Sequence, residues 1–176
     1  SSDLLAAGTA LSGVRQRGKY LLLDFETVTH VVHLMQGGRL KPDDKQAAKP
    51  RNGIARWTFD DGTALLLTEA GNERKAGVWV IVGDPLRQPP LDALGIDADV
   101  VTGEQLAIAL GATGTRLHTF LRDQHGIAGI GRMLANEVCH RAKLSPFAST
   151  TASLTTTLPF MTMGSGSIQL SVNATQ

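Results

Sequence analysis

The chain has 176 residues, 42% of them hydrophobic, which is enough to build the core of one domain or of two small ones. The sequence has no apolar run of the roughly eighteen residues needed to cross a bilayer. Its first residues lack the basic and apolar regions of a secretory signal. The single cysteine, Cys139, excludes an intrachain disulfide and a multi-cysteine zinc site. We therefore expect a cytoplasmic protein that needs no metal or other cofactor.

Charge is unevenly distributed along the chain. The net charge of +1 by itself argues weakly against a nucleic-acid partner. However, residues 115–145 carry five arginines and lysines and three histidines against two acidic side chains, and the first sixty residues carry nine basic and six acidic ones. The acidic residues concentrate between these regions, from Asp84 to Glu104. A nearly neutral chain of this kind can still present a basic face.

The first half of the chain is predicted to be β structure, from about residue 13 to residue 82. Apolar, β-branched or aromatic runs predict strands at residues 19–25, 29–35, 54–59, 63–68 and 76–82. Asp60-Asp61-Gly62 lies between two of these runs and predicts a hairpin. Residues 41–53 are predicted to be a polar loop. Trp57 and Trp79 lie within strands and are most simply core residues.

The second half is predicted to be helical. Thr102-Gly103-Glu104-Gln105 has the pattern of a capping box that opens a helix to about Leu110. Further helices are predicted at residues 115–124 and 132–143. The fold class is thus α+β, with a β-sandwich-like domain at 13–84, a linker at 85–101, a helical domain at 102–147 and an uncharged Ser/Thr-rich tail at 148–176. In the tail, residues 164–167 have the composition of a flexible linker. Residues 168–173 alternate apolar and polar side chains, as a strand would. The tail could therefore be flexible, an appended segment, or an edge strand that adds to a sheet.

The most informative segment runs from Gln124 to Glu137 and is predicted to be a glycine turn between two helices. Gly126, Gly129 and Gly131 permit backbone conformations that other residues avoid, and they allow another molecule to approach the main chain. Arg132 then opens the next helix, so a guanidinium and helix N–H groups would face the same point. This arrangement favours an anion, such as a nucleic-acid phosphate. A plain connection between two helices is the alternative.

Four motifs in order resemble the formamidopyrimidine-DNA glycosylase/endonuclease VIII family over about residues 13–147. They are RQRGKYLLL from Arg15, HLMQGGRL from His33, RKAG from Arg74, and the segment from Asp123-Gln124 through Gly129-Ile130-Gly131 to Pro146. The resemblance implies that the partner is double-stranded, damaged DNA and that the protein is associated with the nucleoid.

The resemblance also assigns residues to DNA contacts. Lys19 and His33 would lie on the DNA-facing side of the β domain. Gln36 and the loop carrying Arg74 and Lys75 would lie where the family inserts side chains into the gap left by an everted base. In the helical domain, Gly129, Gly131 and Arg132 would belong to the family's helix–two-turn–helix element, which grips DNA phosphates.

Departures from the family pattern bear on the chemistry. Family members begin with a proline, whose amine attacks the sugar, followed by a glutamate that handles protons; this sequence begins Ser1-Ser2-Asp3 instead. By the resemblance, Gln36 occupies the position of the family's void-filling methionine, and Ala76 occupies the position of its aromatic wedge. Arg132 occupies a position where the family usually has asparagine. The family's four-cysteine zinc finger is absent from the sequence. We therefore assign no catalytic residue and expect a DNA-binding, repair-related protein without conventional glycosylase chemistry.

Two other functions remain open. One is an active DNA glycosylase or abasic-site lyase that uses another amine, with Lys19, Lys75 or the terminal amine of Ser1 as candidates; a lysine can form a Schiff base when desolvation lowers its pKa. The other is RNA binding, because the glycine turn also resembles one in a small-subunit ribosomal protein family. Those proteins lack the β domain that precedes the turn here.

Overall fold

Strands dominate the first half of the chain and helices the second, so the α+β class is confirmed. A computed structural model describes residues 6–71, 74–153, 161–163 and 166–168, with side chains described as far as Thr151. The chain divides into two units, Ser1–Pro89 and Pro90–Gln176. We call them the β unit and the helical unit.

The β unit contains a four-stranded antiparallel sheet in the order β1-β2-β3-β7. Its strands are β1 (Leu11–Arg17), β2 (Tyr20–Phe25), β3 (Val28–His33) and β7 (Gly77–Val82). Gly18 and Lys19 form the two-residue loop between β1 and β2, and Gly18 takes a φ of +56° there, a conformation that glycine adopts readily.

A second antiparallel sheet has three strands in the order β4-β6-β5. They are β4 (Gly38–Pro42), β5 (Gly53–Thr58) and β6 (Ala64–Glu69). Leu23 and Val32 from the first sheet and Trp57 and Leu67 from the second form one buried cluster. The two sheets therefore share a core in the manner of a sandwich. The Nε1–H group of Trp57 donates to Nδ1 of buried His30 at 2.9 Å, which satisfies the indole inside this core.

As far as residue 153, the helical unit is built from four helices and a pair of two-residue strands. They are β8 (Ile96–Asp97), α1 (Gly103–Gly111), α2 (Leu117–Arg122), β9 (Ile127–Ala128), α3 (Arg132–Arg141) and α4 (Thr150–Ser153), with β8 and β9 paired in parallel. Its core includes Leu110, Phe120, Ile127, Ala135 and Val138. These residues come from α1, α2, β9 and α3, so the unit has a core of its own.

Several helix boundaries follow from local chemistry. The capping box at α1 is confirmed, because Thr102 Oγ1 accepts from the Gln105 N–H and Gln105 Oε1 accepts from the Thr102 N–H. α3 ends two residues before its predicted end. Lys143 takes a left-handed φ of +53°, and the N–H groups of Lys143 and Leu144 donate to the carbonyls of His140 and Cys139. This is a Schellman motif, and it terminates the helix.

Some elements differ from the sequence-based expectation. β1, β4, β8 and β9 were not predicted. Residues 85–101, which we expected to be a linker, include a 3₁₀ turn at Pro85–Arg87 and the strand β8. Leu91, Ala98 and Val101 in this stretch are buried, so it is packed rather than free. Trp79 is only half-buried, unlike Trp57.

Part of the predicted tail is ordered against the helical unit. The N–H groups of Leu117 and His118, at the start of α2, donate to the carbonyls of Ala148 and Pro146. Farther on, β10 (Met161–Met163) pairs antiparallel with β11 (Gly166–Ile168), so Gly166 and Ser167 belong to a strand rather than to a flexible linker. The remainder of the predicted linker, residues 164–165, and most of the predicted strand, residues 169–173, lie outside the described residues.

Candidate nucleic-acid interface

The glycine turn of the helical unit leads directly into the N-terminus of α3. Gly129 takes a φ of +101°, which a residue with a side chain rarely adopts. Gly131 is the N-cap of α3 and, having no side chain, provides no capping bond. The first turn of α3 contains no acidic residue, and Arg132 at its start is exposed. The backbone N–H groups, the positive end of the helix dipole and a guanidinium are therefore available to one anion.

Buried apolar residues hold this turn in place. Ile127, Ala128 and Ile130 are each at most 3% exposed, whereas Gly129 and Gly131, on either side of Ile130, are half-buried. The turn is thus anchored in the core of the helical unit by the apolar residues that flank Gly129. The sequence prediction placed the glycines and Arg132 at an accessible turn, and the structure has them there.

Gln124 closes the turn with its side-chain amide, a role that the sequence analysis did not assign. Its Oε1 accepts the N–H of Gly129 at 2.9 Å, and its Nε2 donates to the carbonyls of Arg122 and Ile130, each at 2.9 Å. One side chain therefore joins the end of α2 to both sides of Gly129. The only sequence signal for this role was that Gln124 stands at the start of the glycine motif.

Asp123 and His125 form a second local contact beside the turn. Asp123 Oδ1 accepts the backbone N–H of His125 at 3.1 Å and lies 3.0 Å from its Nδ1. The backbone N–H, followed by the imidazole, lowers the pKa of the Asp123 carboxyl. The carboxylate next to the turn is thus held in place by local hydrogen bonds.

In the β unit, His33 lies at the end of β3 with Lys19 nearby. His33 Nδ1 accepts the N–H of Met35 at 2.8 Å, so the neutral ring carries its proton on Nε2. The ring of Tyr20 meets the imidazole edge-on, with centroids 4.5 Å apart. Burial, and then the charge of Lys19, lower the pKa of His33. At neutral pH the pair therefore offers one cation and one neutral N–H donor.

Gln36 lies in the turn that follows His33. Its side chain is exposed, and its carbonyl accepts a bond from the Arg39 guanidinium at 3.3 Å. The preceding Met35 is 44% exposed and takes a left-handed φ of +52°. A strained, exposed methionine therefore stands directly beside the predicted void-filling position, and nothing in its sequence neighbourhood signalled the strain.

Arg74 and Lys75 are exposed in the loop between β6 and β7. The loop closes at Ala76, whose N–H donates to Glu69 Oε2 at 2.8 Å. Glu69 itself is 3% exposed at the end of β6. The loop therefore carries two exposed basic side chains and is attached at one end to a buried carboxylate. Sequence reasoning missed Glu69 because the group that it binds lies seven positions further along the chain.

Comparisons with known proteins support the resemblance in both halves of the chain. The profile of the formamidopyrimidine-DNA glycosylase N-terminal domain matches residues 2–79. A formamidopyrimidine-DNA glycosylase of Thiobacillus denitrificans is 30% identical over 146 residues, which cover 82% of this chain and 53% of the relative. One of Acidithiobacillus ferrooxidans is 31% identical over 150 residues, covering 83% and 54%. This chain belongs to the formamidopyrimidine-DNA glycosylase family.

Solved structures of the family have the same fold. The MutM (Fpg) protein of Thermus thermophilus superposes with a TM-score of 0.71 at 27% identity, over 84% of this chain and 54% of that one. The Lactococcus lactis enzyme bound to DNA with an abasic site superposes with a TM-score of 0.73 at 19% identity, over 82% and 56%. The chain spans about half the length of the family members that it matches. In the described residues, no helix is both long and apolar enough to cross a membrane.

Proposed function

We propose that this chain binds double-stranded DNA, preferentially at damaged or abasic sites, as a repair-related member of its family. The observation that carries the proposal is the start of α3, where an uncapped helix N-terminus, a left-handed glycine and exposed Arg132 come together. DNA phosphates suit such a site because backbone N–H groups and an arginine both bind phosphate oxygens without reading sequence. That the Lactococcus lactis relative was crystallised on abasic-site DNA supports the choice of ligand.

The β unit supplies contacts of a second kind. Lys19 and the Nε2–H of His33 suit phosphate, whereas exposed Gln36 and Arg74 suit a gap between bases. The chain has Ala76 in place of an aromatic wedge, which forgoes roughly 1–3 kcal/mol of stacking, by comparison with other base–aromatic contacts. We therefore infer weaker lesion recognition than in family members that have the aromatic residue, partly offset by the phosphate contact of Arg132.

A second candidate function is abasic-site lyase activity. It is favoured by Lys19, which is half-buried, because partial desolvation of an amine favours its neutral, nucleophilic form. A phosphate contact from the same lysine is the simpler role and is the one that we prefer. The RNA-binding alternative does not account for the β unit, which carries the match to the glycosylase N-terminal domain.

Fluorescence anisotropy on labelled duplexes tests the proposal. Intact, abasic, 8-oxoguanine and mismatched duplexes of one sequence, and the corresponding single strand, are titrated at two salt concentrations, and product gels are run on the same samples. We expect binding to all duplexes that weakens as salt rises, with the abasic duplex bound most tightly. Equal affinity for single-stranded and abasic duplex DNA, or no dependence on salt, would contradict the proposal.

A further inference from the structure

Glu69 is a buried carboxylate at the junction of the two β-unit loops that the proposed function assigns to the lesion. It is the last residue of β6, is 3% exposed, and pairs across the sheet with Gly38 at the start of β4. Its backbone N–H donates to the carbonyl of Asn52 at 3.0 Å. The position of its Cα is therefore fixed by the sheet.

The carboxylate binds the loop that carries Arg74 and Lys75. Glu69 Oε2 accepts the N–H of Ala76 at 2.8 Å, one residue after Lys75. A hydrogen bond to a charged acceptor is stronger than one between neutral groups, and burial strengthens it further. The end of this loop is thus tied to a rigid strand rather than to solvent.

The same side chain lies against the turn that carries Gln36. A Cβ added at Gly37 would lie 3.1 Å from Glu69 Cγ and 3.2 Å from Glu69 Oε1. These distances are tighter than ordinary van der Waals contact, so a side chain at Gly37 would require the Glu69 carboxylate to shift by a few tenths of an ångström. The side chain of Glu69 therefore binds one loop and lies beside the other.

Stability alone gives little reason for a carboxylate in this position. A buried carboxylate is expensive to desolvate, so an apolar residue would fill the same volume at a lower desolvation cost. A buried polar group can instead serve to select one conformation of the surrounding backbone among several. Here the arrangement is the spacing between the Gln36 turn and the Arg74–Lys75 loop.

We propose that Glu69 is a positioning residue that sets the spacing between the Gln36 turn and the Arg74–Lys75 loop, and thereby the preference for damaged over intact DNA. This inference rests on the proposed function. Loops held in the binding arrangement beforehand lose less conformational freedom when their side chains enter a gap in the duplex. Phosphate contacts do not need this spacing, so affinity for intact DNA should not depend on Glu69.

Two substitutions of similar volume separate the hydrogen bond from packing. Glu69→Gln keeps an oxygen that accepts the Ala76 N–H, whereas Glu69→Met does not. The quantity measured is the ratio of dissociation constants for intact and abasic duplexes of the same sequence at one salt concentration. In Glu69→Met we expect the preference for abasic DNA to fall roughly tenfold, about the effect of losing one intramolecular hydrogen bond, with intact-duplex affinity unchanged. Glu69→Gln should retain most of the preference.

Amide hydrogen exchange provides a readout that does not involve DNA. Exchange at Ala76 should accelerate in Glu69→Met and stay slow in Glu69→Gln. Glu104→Met, which removes an exposed carboxylate from α1, is the control for net charge and should change neither measurement. If Glu69→Met fails to fold, Gly37→Ala displaces the carboxylate from the turn side and should lower the preference in the same direction.

The outcomes distinguish this inference from the proposed function. A parent chain that binds no duplex overturns the proposed function. A parent that prefers abasic DNA, together with a Glu69→Met or Gly37→Ala variant that keeps the full preference, overturns only the role of Glu69. The same holds if Glu69→Gln loses as much preference as Glu69→Met, because the acceptor would then be irrelevant.

Discussion

His33 shows how one side chain can be set to a single protonation state by its surroundings. Its Nδ1 is occupied by the Met35 N–H, its ring is packed against Tyr20, and Lys19 adds a nearby positive charge. Burial, and then the charge of Lys19, disfavour the imidazolium, and the Met35 N–H requires an unprotonated Nδ1. A DNA contact from His33 therefore uses a neutral Nε2–H group, and the cation in this part of the β unit is Lys19.

The lowered pKa of His33 predicts a stability that depends on pH. Because the folded pKa lies below the unfolded value, the unfolded state binds more protons, and His33 makes acidification destabilising. This contribution is fully present above the unfolded pKa and is lost as the pH falls through the folded pKa. In His33→Asn the amide oxygen still accepts the Met35 N–H but cannot titrate. Urea unfolding at pH 7.5 and pH 5.5 should show that the free energy of unfolding falls less on acidification in this variant than in the parent.

If acidification lowers the free energy of unfolding equally in the parent and in His33→Asn, then His33 is not the source of the pH dependence. His125→Asn is a suitable control, because His125 is exposed beside Asp123 rather than buried. It removes one exposed imidazole without disturbing the Met35 contact, so it should not reproduce the effect of His33→Asn.

Arg132 leads to a prediction about salt. Arg132→Ala should weaken binding to every duplex and lower the slope of log affinity against log salt by about one unit, the effect of one phosphate contact. Arg141→Ala is the matched control, because Arg141 lies at the far end of the same helix and donates to Glu137 at 2.6 Å. Binding by Arg132→Ala that equals the parent at both salt concentrations would remove the phosphate assignment.

At the scale of elements, the sequence predicted those that carry their own signal. β2, β3 and β6 are apolar runs, and α1 has a capping box, so their positions follow from local chemistry. β1 was missed because most of its residues are exposed at a sheet edge and do not form an apolar run. β8 and β9 are two residues each and exist only because they pair across about thirty positions of the chain.

The candidate site divides in the same way. The positions of the glycines and Arg132 were predictable because turn chemistry is local. A few consecutive residues determine both a left-handed glycine and a helix start without a capping side chain. The roles of Gln124 and Glu69 were not, because each depends on backbone groups that tertiary folding brings to the side chain. The strain at Met35 was invisible for the same reason.

The Gln124 side chain should hold the glycine turn as an element. Gln124→Ala removes three hydrogen bonds, each worth about 0.5–1.5 kcal/mol, and should lower the free energy of unfolding by about 1–3 kcal/mol if part of the loss is replaced by water. Gln124→Glu should also destabilise, because a carboxylate oxygen would then face the carbonyls of Arg122 and Ile130. Denaturant unfolding and amide exchange at Gly129 measure both effects.

Gln105→Ala gives the comparison for Gln124, since it removes a glutamine whose bonds cap a helix elsewhere in the same unit. We expect Gly129 exchange to accelerate in the two Gln124 variants and to stay slow in Gln105→Ala. Slow exchange at Gly129 in Gln124→Ala would mean that the buried residues of the turn hold it without the amide.

At the scale of the whole molecule, the family motifs are shared between two units that each have a core of their own. The first three motifs lie in the β unit and the fourth in the helical unit. Each unit therefore contributes a different kind of predicted contact: exposed side chains suited to a gap in the duplex in one, and an uncapped helix start suited to phosphate in the other.

The last prediction concerns chemistry by the 176-residue polypeptide. Because we assign no catalytic residue among the predicted DNA contacts, we expect this polypeptide to release 8-oxoguanine and formamidopyrimidine bases at no useful rate. General acid–base help alone is typically worth roughly 10²–10⁴-fold, and the covalent route contributes more. A slow nick at abasic sites is compatible with this expectation, since a well-placed amine promotes β-elimination from the open-chain sugar.

Base-release and nicking assays, with borohydride trapping on abasic DNA, measure these activities directly. If an amine of the β unit is responsible for a nick, the trapped adduct should diminish in Lys19→Ala or in Lys75→Ala. Lys143→Ala is the control, because it removes an exposed lysine that follows α3 and has no predicted DNA contact. Efficient base release that survives both β-unit substitutions would show that the chain catalyses the family reaction through a group other than these lysines.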